Sequence, residues 1–194
     1  QTPFFAESGG QIGDKGVLLA DQLIVDIDGV TKENNVYVHS GIIKRGSLKL
    51  HDLVNAKVDH SCRRRAQSNH TATHLLQSAL KLVVDSSVAQ RGSLVAFDRL
   101  RFDFNAPSPL TDSQLEEVET LINKWISEGH PILVQTMSID KALAAGALAM
   151  FGEKYGDIVR VVDVPGVSME LCGGTHVANT SELGLFKIVS ETGI

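Results

Sequence analysis

Three things are scarce in this 194-residue chain: cysteine, long apolar runs and an excess of basic charge. Each scarcity excludes a class of protein. Two cysteines, Cys62 and Cys172, exclude a disulfide-dense secreted scaffold. They could still pair, but their spacing does not demand it, and a reduced, intracellular setting is the expectation, cytoplasmic or organellar. No apolar run approaches the roughly 18 residues of a membrane-spanning helix, because the longest, Ala142 to Phe151, is broken by Gly146. Lys and Arg number 18 against 23 Asp and Glu, so the net charge of −5 excludes a basic DNA-coating protein. The chain starts Gln-Thr-Pro, with neither an initiator Met nor the apolar core of a signal peptide. It therefore reads as cut from a larger protein. Several catalytic signatures are also missing. The His-x₃-His of residues 70–74 encloses Thr71, Ala72 and Thr73, with no metalloprotease glutamate. There is no Gly-x-Ser-x-Gly elbow, and Gly9, Gly10 and Gly13 lack the Gly-Lys-Ser/Thr of a phosphate-binding loop.

What is present is ordinary globular composition, 43% hydrophobic and 21% charged. At roughly 150 residues per domain the length suggests one domain with an appendage. Residues 1–58 read as a β-rich, barrel-like subdomain carrying the Gly-rich loop Glu7–Asp14. Within it, a strand over Gln22–Ile27 is expected to turn at Asp28-Gly29 and resume over Asn35–Ile43. Residues 59–194 read as a second unit. Ala72, Leu75, Leu76, Ala79, Leu80 and Val83 mark a helix over Asn69–Val84, capped by Ser68 or Asn69. A strand pair turning near Asp98 follows. Thr111 to Gln114 has capping-box form before a second helix that ends at Gly129. Strands are expected at Ile132–Met137, Asp157–Val164 and Leu185–Val189, with a short helix after Ser138. The fold class is α+β: helices packed on a largely antiparallel sheet, preceded by a small β-barrel.

His70 and His74 lie one helical turn apart, a spacing that suits two ligands of one metal. Cys172-Gly-Gly-Thr-His176 adds a thiolate and a third imidazole on a turn that two glycines allow to bend sharply. Three nitrogens and one sulfur fit Zn²⁺ and suit Mg²⁺ or Ca²⁺ badly. The plainer alternative makes His70 and His74 capped or solvent-facing helix residues. Between Gly41 and Pro107 the charge is locally basic, 11 Lys and Arg against 5 Asp. That stretch could face phosphate or be a solvated surface.

Five segments taken together carry a resemblance. They are Phe4–Asp14, Asn69-His-Thr-Ala-Thr-His-Leu-Leu76, Gln90-Arg-Gly-Ser93, Phe151-Gly-Glu-Lys-Tyr155 and Glu170-Leu-Cys-Gly-Gly-Thr-His-Val177. In this order, over essentially the whole chain, they resemble the editing region of the alanyl-tRNA synthetase family. Free-standing alanyl-tRNA editing proteins and the editing domain of threonyl-tRNA synthetase share the His-x₃-His and Cys-x₃-His pairs. The resemblance implies hydrolysis of serine or glycine wrongly esterified to tRNA(Ala), a task for a second, hydrolytic sieve. It implies Zn²⁺ held by His70, His74, Cys172 and His176. It implies that Thr73 helps recognise the serine hydroxyl and that Gln90 serves the pocket. Gly10 and Gln11, with Gly173, Gly174 and Thr175, are expected near the substrate. Thr73 could equally bond back to its own helix, and Gln90 could simply be exposed. Arg63, Arg64 and Arg91, with Arg65, Arg99 and Arg101, could steer the tRNA acceptor end or merely be solvated. The implied partners are that acceptor end and the rest of a synthetase in cis, with no membrane and no DNA. No water-activating group is named by these residues. The competing readings are a non-catalytic, zinc-stabilised tRNA-binding module and a free-standing trans-editing deacylase.

Overall fold

Strand β2 (Leu23–Glu33) shows why the N-terminal third is sheet. Leu23, Val25 and Ile27 alternate inward with less buried neighbours, the period that one buried sheet face demands. The structure, a computed structural model, describes residues 1–106, 108–149 and 155–193. Strand β1 (Gly16–Ala20) pairs with β2 on one side and with β4 (Asn55–Val58) on the other, and β2 pairs with β3 (Val36–Arg45). All three ladders are antiparallel, giving the order β3-β2-β1-β4, with no β3–β4 ladder among the described residues. The inner face packs Phe4, Ala6, Leu23, Val25, Ile27 and Val30 together. The β2–β3 turn is not at Asp28-Gly29 as expected. It falls at Asn34-Asn35, which both take positive φ (46° and 66°), the conformation of a tight hairpin turn. Gly29 instead sits at a register shift inside β2, so its turn-like signature marks a bulge.

Helix α1 runs His60–Val83, nine residues earlier than the apolar stripe predicts. Its cap is Asp59, whose carboxylate accepts from Cys62 N at 3.0 Å, and not Ser68 or Asn69. Its first nine residues are mostly polar and at most partly buried except Ala66, so they leave no apolar period to read. Strands β5 (Gln90–Val95) and β6 (Leu100–Phe104) form the expected pair. Helix α2 (Asp112–Glu128) has the expected capping box and ends at Gly129 in the left-handed region, φ 70°. Strands β7 (Leu133–Ser138), β8 (Ile158–Val164) and β9 (Ser168–Leu171) make a third antiparallel sheet. Between β7 and β8 comes α3 (Ile139–Ala144), capped by Ser138. The main core joins α1, α2 and this sheet through Leu75, Leu76, Val118, Ile122, Trp125 and Val162.

Leu185–Val189 is not a strand. Side chains of α2 satisfy its backbone instead. Asn123 Nδ2 donates to Phe186 O and Asn123 Oδ1 accepts from Phe186 N, both at 2.9 Å, while Glu119 accepts from Ile188 N at 2.9 Å. The Phe151–Lys154 part of one motif lies outside the described residues. Among the described residues no helix is long and apolar enough to cross a membrane.

The Asp59 cap gives a pH signature. Hydrogen bonding to Cys62 N holds its carboxyl below the ordinary 3.8. Its stabilisation is therefore present above the unfolded-state value and is lost as pH falls through the folded one. Asp59→Ala is expected to lower stability by about 1 kcal/mol at neutral pH. In denaturant titrations the difference from wild type should shrink in acid, where the neutral carboxyl accepts more weakly; a difference that does not shrink there contradicts the cap assignment.

Candidate metal centre

The middle of α1 is buried on all sides. From His70 to Leu80 every residue is buried, including the polar His70, Thr71, Thr73, His74, Gln77 and Ser78. One flank faces the apolar core. The other is covered by the segment after β9, which carries Cys172 to His176. That seating depends on Gly174. A Cβ there would overlap the His70 ring, so only glycine lets the turn close on the helix. Arg160 of β8 holds the turn from outside, its guanidinium donating to Cys172 O at 2.7 Å and Gly174 O at 2.8 Å.

The result is one cluster. A ligand atom from each of His70, His74, Cys172 and His176 lies within 4.8 Å of the others. Cys172 Sγ is 3.4 Å from His70 Nε2 and 3.3 Å from His176 Nε2. The outer nitrogens are held as metal-bound imidazoles usually are. His70 Nδ1 is 2.7 Å from Gln11 Oε1, and His176 Nδ1 is 3.1 Å from Thr71 Oγ1. His74 Nε2 lies 3.7 Å from Glu170 Oε2, and its Nδ1 is the buried side-chain atom without a hydrogen-bond partner among the described residues. An orphaned buried nitrogen beside a thiol and two imidazoles fits a metal ligand set, and soft sulfur with imidazole suits a transition ion.

Burial sets the charges. It pushes His70 down to about 3 and His74 to about 4, with Arg160 adding to both and His74 itself adding at His70. His176 is driven well below its ordinary 6.5 by the same burial, with repulsion from His74, His70 and Arg160 opposing its protonation. All three imidazoles are thus neutral at physiological pH, as metal binding requires. Burial pushes the Cys172 thiol up to about 11 and the Glu170 carboxyl up to about 7, the latter partly offset by the Ser168 hydroxyl 2.8 Å away.

A cavity of about 290 Å³ opens onto this cluster. Thr73, Gln90, Ser93, Arg160, Glu170 and Gly173 contribute to its wall. Thr73 Oγ1 donates to His70 O at 2.6 Å, the helix back-bond, and still borders the cavity. Gln90 Nε2 donates to Ser93 Oγ at 3.1 Å. Gly10 packs on Ser93 so closely that no side chain would fit there. Gln11 is fully buried behind the cluster, where it bonds His70 and Thr175. A larger open depression of about 1020 Å³ beside β1 and β4 is lined by no histidine or cysteine.

The arginines are placed differently from one another. Arg63 clamps the buried Asp14 carboxylate and donates to Pro3 O at 3.0 Å. Arg64 pairs with Glu182, Arg99 with Asp98 and Arg101 with Asp103. Arg91 is exposed on β5. Sequence reasoning missed Glu170 and Arg160 as members of the site. The first had a usable signal: in an extended strand Ser168, Glu170 and Cys172 fall on one face. The second had none, since an arginine in an apolar strand has no motif.

Two outcomes test the centre. Gly174→Ala should abolish stoichiometric Zn²⁺ uptake, measured by atomic absorption on purified chain. Gly173→Ala, with open space at its Cβ, should retain it. Near pH 8.5, Glu170 is ionised and the histidines are neutral, so Zn²⁺ capture should expel one proton, from Cys172. Affinity should then rise about tenfold per pH unit. Calorimetry in two buffers of different ionisation heat reads the proton count, and a count of zero rules out Cys172 as a ligand.

Comparison with known proteins places the chain. Residues 159–194 match the family described as the threonyl and alanyl tRNA synthetase second additional domain. Residues 1–62 match the class II (A) tRNA synthetases. The chain is 65% identical over 193 residues to an alanine–tRNA ligase of Synechococcus sp. (strain CC9605). It is 66% identical over 193 residues to that of Parasynechococcus marenigrum (strain WH8102). It is 62% identical over 194 residues to that of Microcystis aeruginosa (strain NIES-843 / IAM M-2473). Each match covers all of this chain and 22% of the ligase, so the chain spans about a fifth of the length of these relatives. With that identity along its whole length and both family matches, the chain belongs to the alanyl-tRNA synthetase family, as a segment of it.

Proposed function

We propose that this segment is the editing module of an alanine–tRNA ligase, hydrolysing the ester of Ser-tRNA(Ala) or Gly-tRNA(Ala). Residues 1–58 form its β-rich appendage and 59–194 the editing domain. The observation that carries the reading is the cavity of about 290 Å³ lined by three of the four donors, His70, His74 and Cys172. Its volume sits at the low end for small-molecule sites, roughly 300–1,000 Å³, and suits a small amino acid at the end of a tRNA. His70, His74, Cys172 and His176 would hold Zn²⁺, which supplies Lewis acidity when bound.

The chain's own residues set up the rest. In the hydrolysis, water oxygen bonds the carbonyl carbon, and the sugar oxygen leaves with a proton. Thr73 gives its own proton to His70 O, so what it offers the cavity is an acceptor oxygen. That oxygen suits the hydroxyl of a bound seryl group and has nothing to grip on glycyl or alanyl groups. Gln90 is steadied by Ser93 and keeps its amide oxygen for the substrate. Arg160, fixed by its two carbonyl contacts, brings positive charge to the wall where negative charge develops on the carbonyl. The acceptor end of tRNA(Ala) and the remainder of the ligase in cis are the partners, and the exposed Arg91 is a candidate phosphate contact. A reduced intracellular setting, cytoplasmic or organellar, keeps Cys172 available as a ligand.

One observation favours a second reading. Four protein donors in one cluster are a closed set, as in structural zinc sites. A zinc-stabilised tRNA-binding module would then bind without cleaving. Deacylation of Ser-tRNA(Ala) by the intact ligase decides between them. Wild type should cleave, and Cys172→Ala should lose at least about tenfold. Thr73→Val should slow Ser-tRNA(Ala) hydrolysis by about tenfold, the value of one lost hydrogen bond, and leave Gly-tRNA(Ala) nearly unchanged. An intact, zinc-loaded ligase that cleaves neither ester sinks the editing reading.

A further inference from the structure

Gln11 belongs to the Gly-rich loop, 59 residues before His70 and 164 before Thr175, yet it touches both. Its side chain is 0% exposed, so its amide must be fully engaged. The bonds around it fix its orientation. The backbone N–H of Thr175 points at one atom of the amide group from 2.9 Å, and a backbone N–H only donates. That atom is therefore the carbonyl oxygen Oε1. The amide nitrogen then donates to Thr175 Oγ1 at 2.8 Å. The flipped amide would set two donors against each other.

This orientation determines more than the glutamine. The same Oε1 lies 2.7 Å from His70 Nδ1. An acceptor at that place requires the proton on Nδ1. The His70 lone pair is then on Nε2, the nitrogen facing Cys172 Sγ at 3.4 Å. His176 has no equivalent constraint, because its neighbour Thr71 Oγ1 is a hydroxyl and can donate or accept. Gly174, whose missing Cβ makes room for the His70 ring, also lies against Gln11 Oε1.

We propose that Gln11 is a positioning residue of the metal centre: its amide sets the His70 tautomer and clamps the ligand-bearing turn at Thr175, so that both ligand-bearing segments are fixed from the Gly-rich loop. The proposal rests on the metal-centre reading. It also moves Gln11 from the substrate side, where the resemblance put it, to the back of the site.

Two variants of similar volume separate the roles. Gln11→Glu keeps an acceptor for both His70 Nδ1–H and Thr175 N–H, and the Thr175 hydroxyl turns to donate to it. Gln11→Met keeps the bulk and loses every hydrogen bond. Long-range ¹H–¹⁵N NMR of the metal-free full chain should show His70 protonated at Nδ1 in wild type and Gln11→Glu, and at Nε2 in Gln11→Met. Titration with Co²⁺, followed by its ligand-field absorption, should show affinity falling about 10- to 100-fold in Gln11→Met. Gln11→Glu should stay within about threefold of wild type.

Wild-type His70 protonated at Nε2 overturns the proposal on the native chain alone, whatever the variants do. Equal Co²⁺ affinity in wild type and Gln11→Met, or equal losses in both variants, overturns it while leaving the metal reading intact. A wild type that takes up no Co²⁺ overturns the metal reading and the proposal together.

Discussion

Burying the polar flank of one helix is the constraint on which the rest of this structure depends. Six polar side chains lie inside the His70–Leu80 stretch of α1, and a buried polar group without a partner costs several times what a made hydrogen bond returns. An amphipathic helix would have turned that flank to water. Here it is roofed, and the roof is chosen for its hydrogen bonds. Gln11 meets His70, Thr71 meets His176 and Val177 N, and Thr73 meets the carbonyl one turn back. One nitrogen, on His74, stays unmatched. Among the described residues it is the buried side-chain nitrogen or oxygen left without a partner, and its imidazole belongs to the cluster that a metal ion could occupy.

The roof in turn explains the glycines. Gly174 and Gly10 sit where backbone must approach a ring or another strand more closely than any side chain allows. The Gly-rich loop and the Cys-Gly-Gly-Thr-His turn are thus two halves of one lid, joined through Gln11 and Thr175. Arg63 anchors the first half by neutralising the buried Asp14, and Arg160 anchors the second. These two cations do structural work from partly buried positions. The pairs of Arg64, Arg99 and Arg101 involve exposed arginines, and exposed pairs are weak. The basic window of the sequence therefore contains two kinds of arginine that composition does not distinguish.

Much of this was legible in the residues. The grouping of His70, His74, Cys172 and His176 was one of two readings of their spacing, a helical turn between the first pair and a Gly-Gly turn between the second, and the structure brings all four together. The capping box at Thr111 and the left-handed Gly129 are local chemistry and were found where local chemistry put them. What could not be read is non-local or lacks a period. The start of α1 hid in polar turns, at most half-buried except at Ala66. Leu185–Val189 has strand-like composition, but Asn123 and Glu119 take its hydrogen bonds, and nothing in the segment itself shows that. Asp28-Gly29 looked like a turn because a bulge and a turn ask for similar residues, and the Asn34-Asn35 pair made the turn instead. The role of Gln11 depends on an atom 164 residues away, beyond any motif.

That same separation has a consequence for how the protein is made. A contact between residues 11 and 175 closes a loop that spans nearly the whole chain, and such closures come late because their entropy must be met before they return anything. On the ribosome the helix bearing His70 and His74 emerges about a hundred residues before Cys172. Until then its polar flank has only the Gly-rich half of its roof. The nascent chain thus carries two of the four candidate donors without the thiol and the third imidazole, and the four-donor cluster becomes available only when nearly all of this segment has been synthesised.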